Sequence, residues 1–266
     1  MSSAGFKKEY LLTFLFFLAV VAFIWLLPLK APKKEARKLP PVPQKRITKA
    51  KIAIVLDDFG YSLNNIPALE KVKSPITLAV LPNLAYSAEI SRKMNAYGFE
   101  IILHMPMEPV GKQPLEKDTI LTTMENRQIS NILTKNLESI KFAKGISNHM
   151  GSKATADLNT MTSIMAQLKK RKLYFLDSFV TPLSVGKRTA AKENVRFAKR
   201  DIFLDNKSDP EYIRGQLNKL KEIADLKGCA IGIGHDRKNT IEVLKAVIPE
   251  FEKKGYRFVL VSEVLK

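Results

Sequence analysis

Short apolar runs alternate with stretches of helical periodicity from residue 51 to residue 266, and this alternation constrains the fold most. The runs are Ile52–Leu56, Ile76–Leu81, Phe99–Leu103, Ile146 with its neighbours, Leu173–Leu176, Ile202–Leu204, Cys229–Ile233 and Phe258–Val261. Helical spacing is found in 88–96, 127–142, 159–170, 210–226 and 240–254. This order predicts parallel βα units. Seven or eight strands in one large α/β domain favour a (β/α) barrel, complete or incomplete, over an open sheet.

The first apolar run ends at two adjacent carboxylates, Asp57 and Asp58. A short run of this kind indicates a strand buried on both faces, and the C-terminal ends of such strands are where α/β proteins place their chemistry. Because neighbouring carboxylates repel, the pair needs a cation or a shared proton. The alternative interpretation is that Asp57 caps the following turn and Asp58 faces solvent.

The three histidines, His104, His149 and His235, each follow an apolar run. One histidine at a strand end is usually a structural residue. Three of them, together with the aspartate pair, would converge on a single face of a parallel barrel. Imidazole and carboxylate groups are the usual ligands of zinc, and two histidines with one carboxylate recur in catalytic sites.

Two further aspartates also follow apolar runs. Asp205 is expected to cap a turn or a helix. For Asp177 three roles stay open: capping of a turn or a helix, orientation of a ligand histidine, or contact with substrate. The single cysteine, Cys229, excludes an internal disulfide and is expected to be a buried small apolar residue.

Residues 10–29 contain no charged side chain and are long enough to cross a bilayer as a helix. The sequence that follows is a poor signal-peptidase site, so we predict an uncleaved signal anchor. The short N-terminus, residues 1–9, is expected in the cytoplasm. Residues 30–50 are rich in Lys, Arg and Pro and predict an extended linker. The protein is therefore expected to be a single-pass inner-membrane protein with residues 51–266 on the periplasmic or extracytoplasmic side.

The chain carries 44 Lys and Arg against 26 Asp and Glu, a net charge of +18. Such a charge favours an anionic polymer or a negative membrane surface as a partner. The basic residues are scattered and form no nucleic-acid-binding motif, so nucleic acid is not an expected partner.

Four segments together resemble the divergent branch of the polysaccharide deacetylase (NodB-homology) superfamily. They are Leu56-Asp57-Asp58-Phe59-Gly60, His104-Met105-Pro106-Met107-Glu108-Pro109, Ser147-Asn148-His149-Met150-Gly151-Ser152 and Phe175-Leu176-Asp177-Ser178. The resemblance covers essentially all of residues 51–266. It implies a distorted, incomplete (β/α) barrel of about seven strands and a metal-dependent hydrolase that removes N-acetyl groups from a polysaccharide.

The resemblance also implies residue roles. Asp57 matches the general base, Asp58 the carboxylate metal ligand, His104 the first histidine of the metal motif, and His235 the general acid. Mainstream members place a second metal histidine four residues after the first, where this chain has Glu108. The third ligand is therefore either Glu108 or His149, and we favour His149. Glu108 would then contact the ligand residues without binding the metal.

The expected cofactor is a divalent metal, zinc in the first place, and the expected substrate is an envelope or exported glycan such as peptidoglycan. Two other functions stay open. One is a metal- or glycan-binding envelope protein without hydrolytic activity, which the altered motif favours. The other is a metal-dependent hydrolase of a peptide or small-molecule amide.

Overall fold

The computed structural model describes the backbone of residues 5–26 and 48–266, with side chains described for 10–20 and 48–266. The first of these segments is a helix, α1 (Gly5–Leu26). The predicted span 10–29 ends outside the described residues, and so does the linker up to residue 47. Within the described residues, no helix is both long enough and apolar enough to cross a membrane. The signal anchor remains a prediction.

Residues 48–266 form one sheet of nine strands, in which every pairing is parallel. The strands are β1 (Lys51–Phe59), β2 (Thr77–Val80), β3 (Glu100–Met107), β4 (Gly145–Met150), β5 (Tyr174–Asp177), β6 (Phe197–Lys199), β7 (Ile202–Phe203), β8 (Cys229–His235) and β9 (Arg257–Val259). Their order is β6-β5-β4-β3-β2-β1-β8-β7, and β9 pairs with β1.

Helices separate the strands, as the sequence predicts. They are α2 (Ile66–Leu69), α3 (Ser87–Ala96), α4 (Asn126–Ser139), α5 (Leu158–Arg171), α6 (Gly186–Glu193), α7 (Pro210–Lys227) and α8 (Lys238–Lys253). Asp157 and Asp209 cap α5 and α7 by accepting hydrogen bonds from backbone N–H groups of the first turn. The short helices α2 and α6 and the three-residue strand β6 are not predicted, because none of them is long enough to show a clear apolar period.

The strands bury side chains on both faces. In β1, Ile52, Ile54 and Leu56 belong to the layer between the sheet and the helices, while Ala53 and Val55 point into the barrel. This alternation follows from the two-residue repeat of a strand. Because both faces are covered, the strand is a continuous apolar run up to the point where it reaches the open end of the barrel.

One extended segment, residues 197–203, bridges the gap between β5 and β8 and changes its partner along its length. Residues 197–199 pair with β5, and residues 202–203 pair with β8. Between them, the N–H of Arg200 donates to the carbonyl of Asp177 at 3.0 Å, and the N–H of Asp201 donates to that of Ile231 at 2.9 Å. The predicted distorted, incomplete barrel is confirmed.

Candidate active site

A β-bulge places the two adjacent aspartates on the same side of β1. Asp58 has a φ of +69°, and the pairing with β2 shifts register between Leu56 and Phe59. In a regular strand, neighbouring side chains would point to opposite faces. Here His104 Nε2 lies 3.6 Å from Asp57 Oδ2 and 3.3 Å from Asp58 Oδ1. The bulge thus places both carboxylates next to the same histidine, His104.

Asp58, His104 and His149 form a compact cluster. Asp58 Oδ1 lies 3.0 Å from His149 Nδ1, and the two imidazole rings meet edge to face with centroids 5.0 Å apart. One potential ligand atom from each residue lies within 4.8 Å of the others. Pairing of β3 with β4 brings the two histidines together, because Pro106 lies opposite His149. Two imidazole nitrogens and a carboxylate oxygen at this spacing fit a divalent metal ion.

Ser147 orients the ring of His104. The Oγ atom of Ser147 lies 2.8 Å from His104 Nδ1, and the two residues are directly opposite each other on β4 and β3. Since Nδ1 is engaged, Nε2 is the nitrogen left to face Asp58. A hydrogen bond to the second ring nitrogen is the usual way in which proteins fix a histidine ligand.

The protonation states of this cluster also suit a metal. Burial raises the pKa of Asp58, but hydrogen bonds from His104 and His149 outweigh this effect and hold the pKa far below its usual range. Burial lowers the pKa of His104 to about 4, although the hydrogen bond with Asp58 opposes the change. At neutral pH, Asp58 is therefore ionised and His104 is neutral, which are the forms that bind metals.

Asp57 differs from Asp58 in its hydrogen bonding and in the direction of its pKa shift. Its side chain is buried, and Oδ1 has no hydrogen-bond partner within the described part of the chain. Burial raises its pKa well above the ordinary value, and the charges of Asp58 and Asp205 add to this, while Arg200 opposes it. A buried carboxylate with an unpartnered oxygen and a raised pKa has the properties of a general base.

His235 lies beside Asp57, since the two are opposite each other in the pairing of β8 with β1. Its Nδ1 is 2.7 Å from Asp205 Oδ1. The second oxygen of Asp205 accepts hydrogen bonds from the backbone N–H of His235 at 2.8 Å and from Thr240 Oγ1 at 2.6 Å. The expectation that Asp205 merely caps a turn is wrong. The carboxylate is fully buried and holds the predicted general acid.

Arg200 is a charged residue of the site that the sequence analysis missed. Its Nε and Nη2 donate to the carbonyl groups of Ser178 at 2.6 Å and Phe179 at 2.8 Å. Its guanidinium carbon lies 3.6 Å from the ring centroid of Phe203, and that ring stacks on His235 with a centroid distance of 5.9 Å. The only sequence signal is the pair Lys199-Arg200 between two very short apolar segments.

Glu108 lies outside the Asp58–His104–His149 cluster. Its Oε2 accepts hydrogen bonds from the N–H of Thr122 at 2.6 Å and from Thr122 Oγ1 at 2.8 Å, and Oε1 pairs with Lys153 Nζ at 2.6 Å. The carboxylate therefore joins three loops next to β3 and β4. The structure brings His149, and not Glu108, to Asp58 and His104.

Asp177 organises the segment that follows β5. It accepts hydrogen bonds from the N–H of Phe179 at 2.8 Å and from Ser184 Oγ at 2.6 Å. Burial raises its pKa, whereas these hydrogen bonds and the nearby charges of Lys199 and Arg200 oppose the rise. Neither histidine of the cluster is among its hydrogen-bond partners in the described residues. Cys229 also differs from expectation, because it is partly exposed.

A parallel half-barrel whose strand ends gather two aspartates and three histidines defines a polysaccharide-deacetylase type of fold and site. The chain belongs to the divergent polysaccharide deacetylase family, whose sequence model matches residues 54–265. The resemblance seen in the sequence is confirmed, and the family acts on polysaccharides.

Similar proteins include YibQ of Escherichia coli K12, described as uncharacterized, which is 36% identical over 229 residues, or 86% of this chain and 67% of YibQ. Among solved structures, the uncharacterized protein ATU2773 of Agrobacterium tumefaciens C58 superimposes with a TM-score of 0.77 at 24% identity, covering 81% of this chain and 89% of that one. The Bc1960 peptidoglycan N-acetylglucosamine deacetylase superimposes with a TM-score of 0.53 at 16% identity, covering 80% and 87%. These structural likenesses establish the fold.

Proposed function

We propose that this protein is a metal-dependent hydrolase that removes N-acetyl groups from an envelope or exported polysaccharide, with a peptidoglycan-like amino sugar as substrate. One observation carries the proposal: the Asp58–His104–His149 cluster lies beside Asp57 and beside the His235–Asp205 pair at one end of the barrel. Family membership supports the reaction class. A structural neighbour that is a peptidoglycan N-acetylglucosamine deacetylase supports the substrate class.

The residues that would hold the ion are Asp58, His104 and His149, and their donor set suits zinc. When bound, the ion supplies Lewis-acid polarisation of the acetamide carbonyl and lowers the pKa of the attacking water. The chain holds these donors ready, because Ser147 fixes the His104 ring and the bulge fixes Asp58. Little rearrangement is therefore needed to bind the ion.

Asp57 takes the proton from the attacking water. Its free Oδ1 is available to accept that proton, and its raised pKa makes it a stronger base than an exposed aspartate. The charge of Arg200 limits the rise in pKa and so favours the ionised form that the first step requires.

His235 supplies a proton to the leaving amine as the amide C–N bond breaks. Asp205 engages Nδ1, so Nε2 is the nitrogen that carries the transferable proton. The same hydrogen bond fixes the orientation of the His235 ring. The products are acetate and a free amino sugar.

The test is acetate release by the full chain, purified with zinc, from N-acetylglucosamine oligomers and from peptidoglycan. We expect turnover that EDTA abolishes and that zinc restores. Asp57→Asn should reduce turnover at least about 100-fold, because proton transfer to a positioned base contributes 10²–10⁴-fold. The matched control is Asp157→Asn, which changes an aspartate that caps α5 and leaves the site intact. Release of amines from stem peptides without acetate would instead indicate a different amide hydrolase.

The second candidate is a metal- or glycan-binding envelope protein without turnover. The observation that favours it is Glu108, which stands where mainstream members have a metal histidine and is bound to Thr122 and Lys153. Stoichiometric zinc with no acetate from any glycan, in the wild type and under all conditions above, would establish this function and exclude the first.

We also propose that residues 10–29 anchor the chain in the inner membrane, with residues 51–266 on the periplasmic side. The uncharged stretch and the basic residues that precede it support this proposal. Protease added to intact spheroplasts should digest the domain, and survival of the domain until the membrane is lysed would contradict this location.

A further inference from the structure

A cavity lies at the opposite end of the barrel from the candidate active site. Its volume is about 560 Å³, and its lining includes Glu100 and Tyr174, the first residues of β3 and β5. The metal cluster lies towards the other ends of β1, β3 and β4. Parallel barrels place catalysis at the C-terminal ends of their strands, so this cavity is separate from the proposed reaction.

Four cationic side chains line this cavity: Lys144, Arg171, Lys172 and Arg196. Within residues 48–266, none of them has a carboxylate oxygen within 4.0 Å, although eight other Lys and Arg residues there do. Four cations against the single carboxylate of Glu100 leave the lining with a net positive charge, which attracts an anion. The cavity is therefore electrostatically suited to a phosphate or carboxylate group.

Only two of these four cations lie where a helix dipole stabilises a positive charge. Arg171 and Lys172 stand at the C-terminal end of α5, where basic residues are stabilised by the helix. Lys144 and Arg196 instead come just before β4 and β6, outside the last turns of α4 and α6. Strand connections from three parts of the chain thus contribute cations to one cavity.

A buried carboxylate among these cations narrows the ligand class. Glu100 is only 6% exposed and lines the cavity. Its Oε1 accepts hydrogen bonds from Thr77 Oγ1 at 2.9 Å, Tyr174 Oη at 2.9 Å and the N–H of Ser262 at 3.2 Å. All three bonds reach the same oxygen, which leaves Oε2 to accept from a ligand. A simple anion would not use this acceptor, whereas a ligand with a hydroxyl or ammonium group would.

We propose that this cavity binds an organic phosphate that also carries a hydroxyl or ammonium group. Lys144, Lys172 and Arg196 hold the phosphate, and Glu100 accepts a hydrogen bond from the donor group. The guanidinium of Arg171 donates to Gln167 Oε1 at 2.7 Å and to Thr134 Oγ1 at 2.6 Å, so this residue contributes its positive charge to the cavity. The volume admits a ligand of the size of a glycerol phosphate or a sugar phosphate. The same chemistry occurs in soluble phosphate esters and in phospholipid headgroups, and the experiment distinguishes these sources.

The experiment is calorimetric titration of the full chain in maltoside micelles with glycerol 3-phosphate, inorganic phosphate, dihexanoyl phosphatidylglycerol and dihexanoyl phosphatidylcholine. We expect glycerol 3-phosphate or the phosphatidylglycerol to bind at least about tenfold more tightly than inorganic phosphate. Phosphatidylcholine, which has no donor group, should bind more weakly than phosphatidylglycerol. Binding of glycerol 3-phosphate alone assigns a soluble ligand, and binding of phosphatidylglycerol alone assigns a lipid headgroup.

The charge requirement is tested with the double variant Lys144→Gln/Arg196→Gln, which should lose affinity at least about tenfold. Its control, Lys219→Gln/Lys253→Gln, removes two exposed cations outside this cavity and should bind like the wild type. Equal losses of affinity in the two double variants, or no binding of any probe to the wild type, would overturn the proposal. Acetate release should be the same in all of them, so this test is independent of the proposed function.

Glu100→Gln tests the donor group. This variant keeps an oxygen acceptor for Tyr174 and Ser262 but removes the negative charge. We expect the preference for glycerol 3-phosphate over inorganic phosphate to disappear while inorganic phosphate binds at least as well as before. A thermal melt within a few degrees of the wild type shows that the barrel is folded. A preference that survives in this folded variant contradicts the role of Glu100.

Discussion

His235 is bound to Asp205 through two hydrogen bonds, one at the ring Nδ1 and one at the backbone N–H, at 2.7 and 2.8 Å. The aspartate follows β7 and the histidine ends β8, so the pairing of these two strands brings them together. Burial would raise the pKa of Asp205, but the hydrogen bonds from His235 and Thr240 lower it below its ordinary value. The carboxylate therefore remains ionised next to the ring.

Replacing Asp205 should impair turnover more than substrate binding. In Asp205→Asn the ring loses its anionic partner, so we expect kcat to fall roughly 10–100-fold with little change in KM, as for other residues that orient a functional histidine. Steady-state acetate release checks this. Asp209→Asn, at the exposed cap of α7, is the control. A change confined to KM would show that Asp205 acts on substrate binding instead.

The ligand set predicts opposite behaviour for His149 and Glu108. His149→Ala should lose bound zinc, because it removes one of three donors. Glu108→Ala should retain zinc but lower the free energy of unfolding by about 1–3 kcal/mol, because Thr122 and Lys153 lose their shared acceptor. Metal analysis and denaturant unfolding measure the two effects. If Glu108→Ala loses the metal while folded, the assignment of His149 as the third ligand is wrong.

Asp58 is both a proposed zinc ligand and the residue of the bulge with a positive φ, and two substitutions can separate these roles. Asp58→Asn retains a residue type that tolerates a positive φ, so it should fold normally while binding zinc much more weakly. Asp58→Ala should lose zinc and in addition destabilise the apoprotein by about 1 kcal/mol, since alanine is strained at this φ. Unfolding in EDTA compares the two apoproteins. Equal stability would show that the bulge relaxes in the variants.

The stability of the apoprotein should fall in acid because of His104. Burial lowers the pKa of this residue from 6.5 to about 4. Between about pH 6.5 and pH 4, His104 is therefore protonated in the unfolded chain but stays neutral in the folded chain. The stabilisation is complete above pH 6.5 and is lost as the pH falls towards 4, by roughly 3 kcal/mol in total. Urea unfolding in EDTA across this range should show a steeper decline for the wild type than for His104→Gln. Parallel declines in the free energy of unfolding for the wild type and His104→Gln would contradict this role of His104.

The sequence predicts the fold and most of the site because the chemistry stands at the ends of apolar strands. Asp57, Asp58, His104 and His149 can each be located from the run that precedes them, and parallel strands leave only one face on which such residues can meet. The resemblance to a known family then predicts their roles, which the structure makes geometrically consistent.

The partner of His235 could not be predicted, because a thirty-residue separation says nothing of the register between two strands. Arg200 was missed for a related reason. It stands at the point where the segment 197–203 changes partner, and that change depends on how far the barrel closes. The bulge at Asp58 was also missed, since aspartate at a strand end is common in regular turns.

The bulge in β1 has a consequence for how the site responds to thermal motion. Asp57 and Asp58 are consecutive, so one peptide bond fixes the separation of their backbones, and neither a loop nor a helix contact is involved. Breathing of the barrel that shifts β1 relative to its neighbours would carry both carboxylates together. The proposed base would then keep its place beside the Asp58 ligand even while β3 and β4, which carry the two histidines, move.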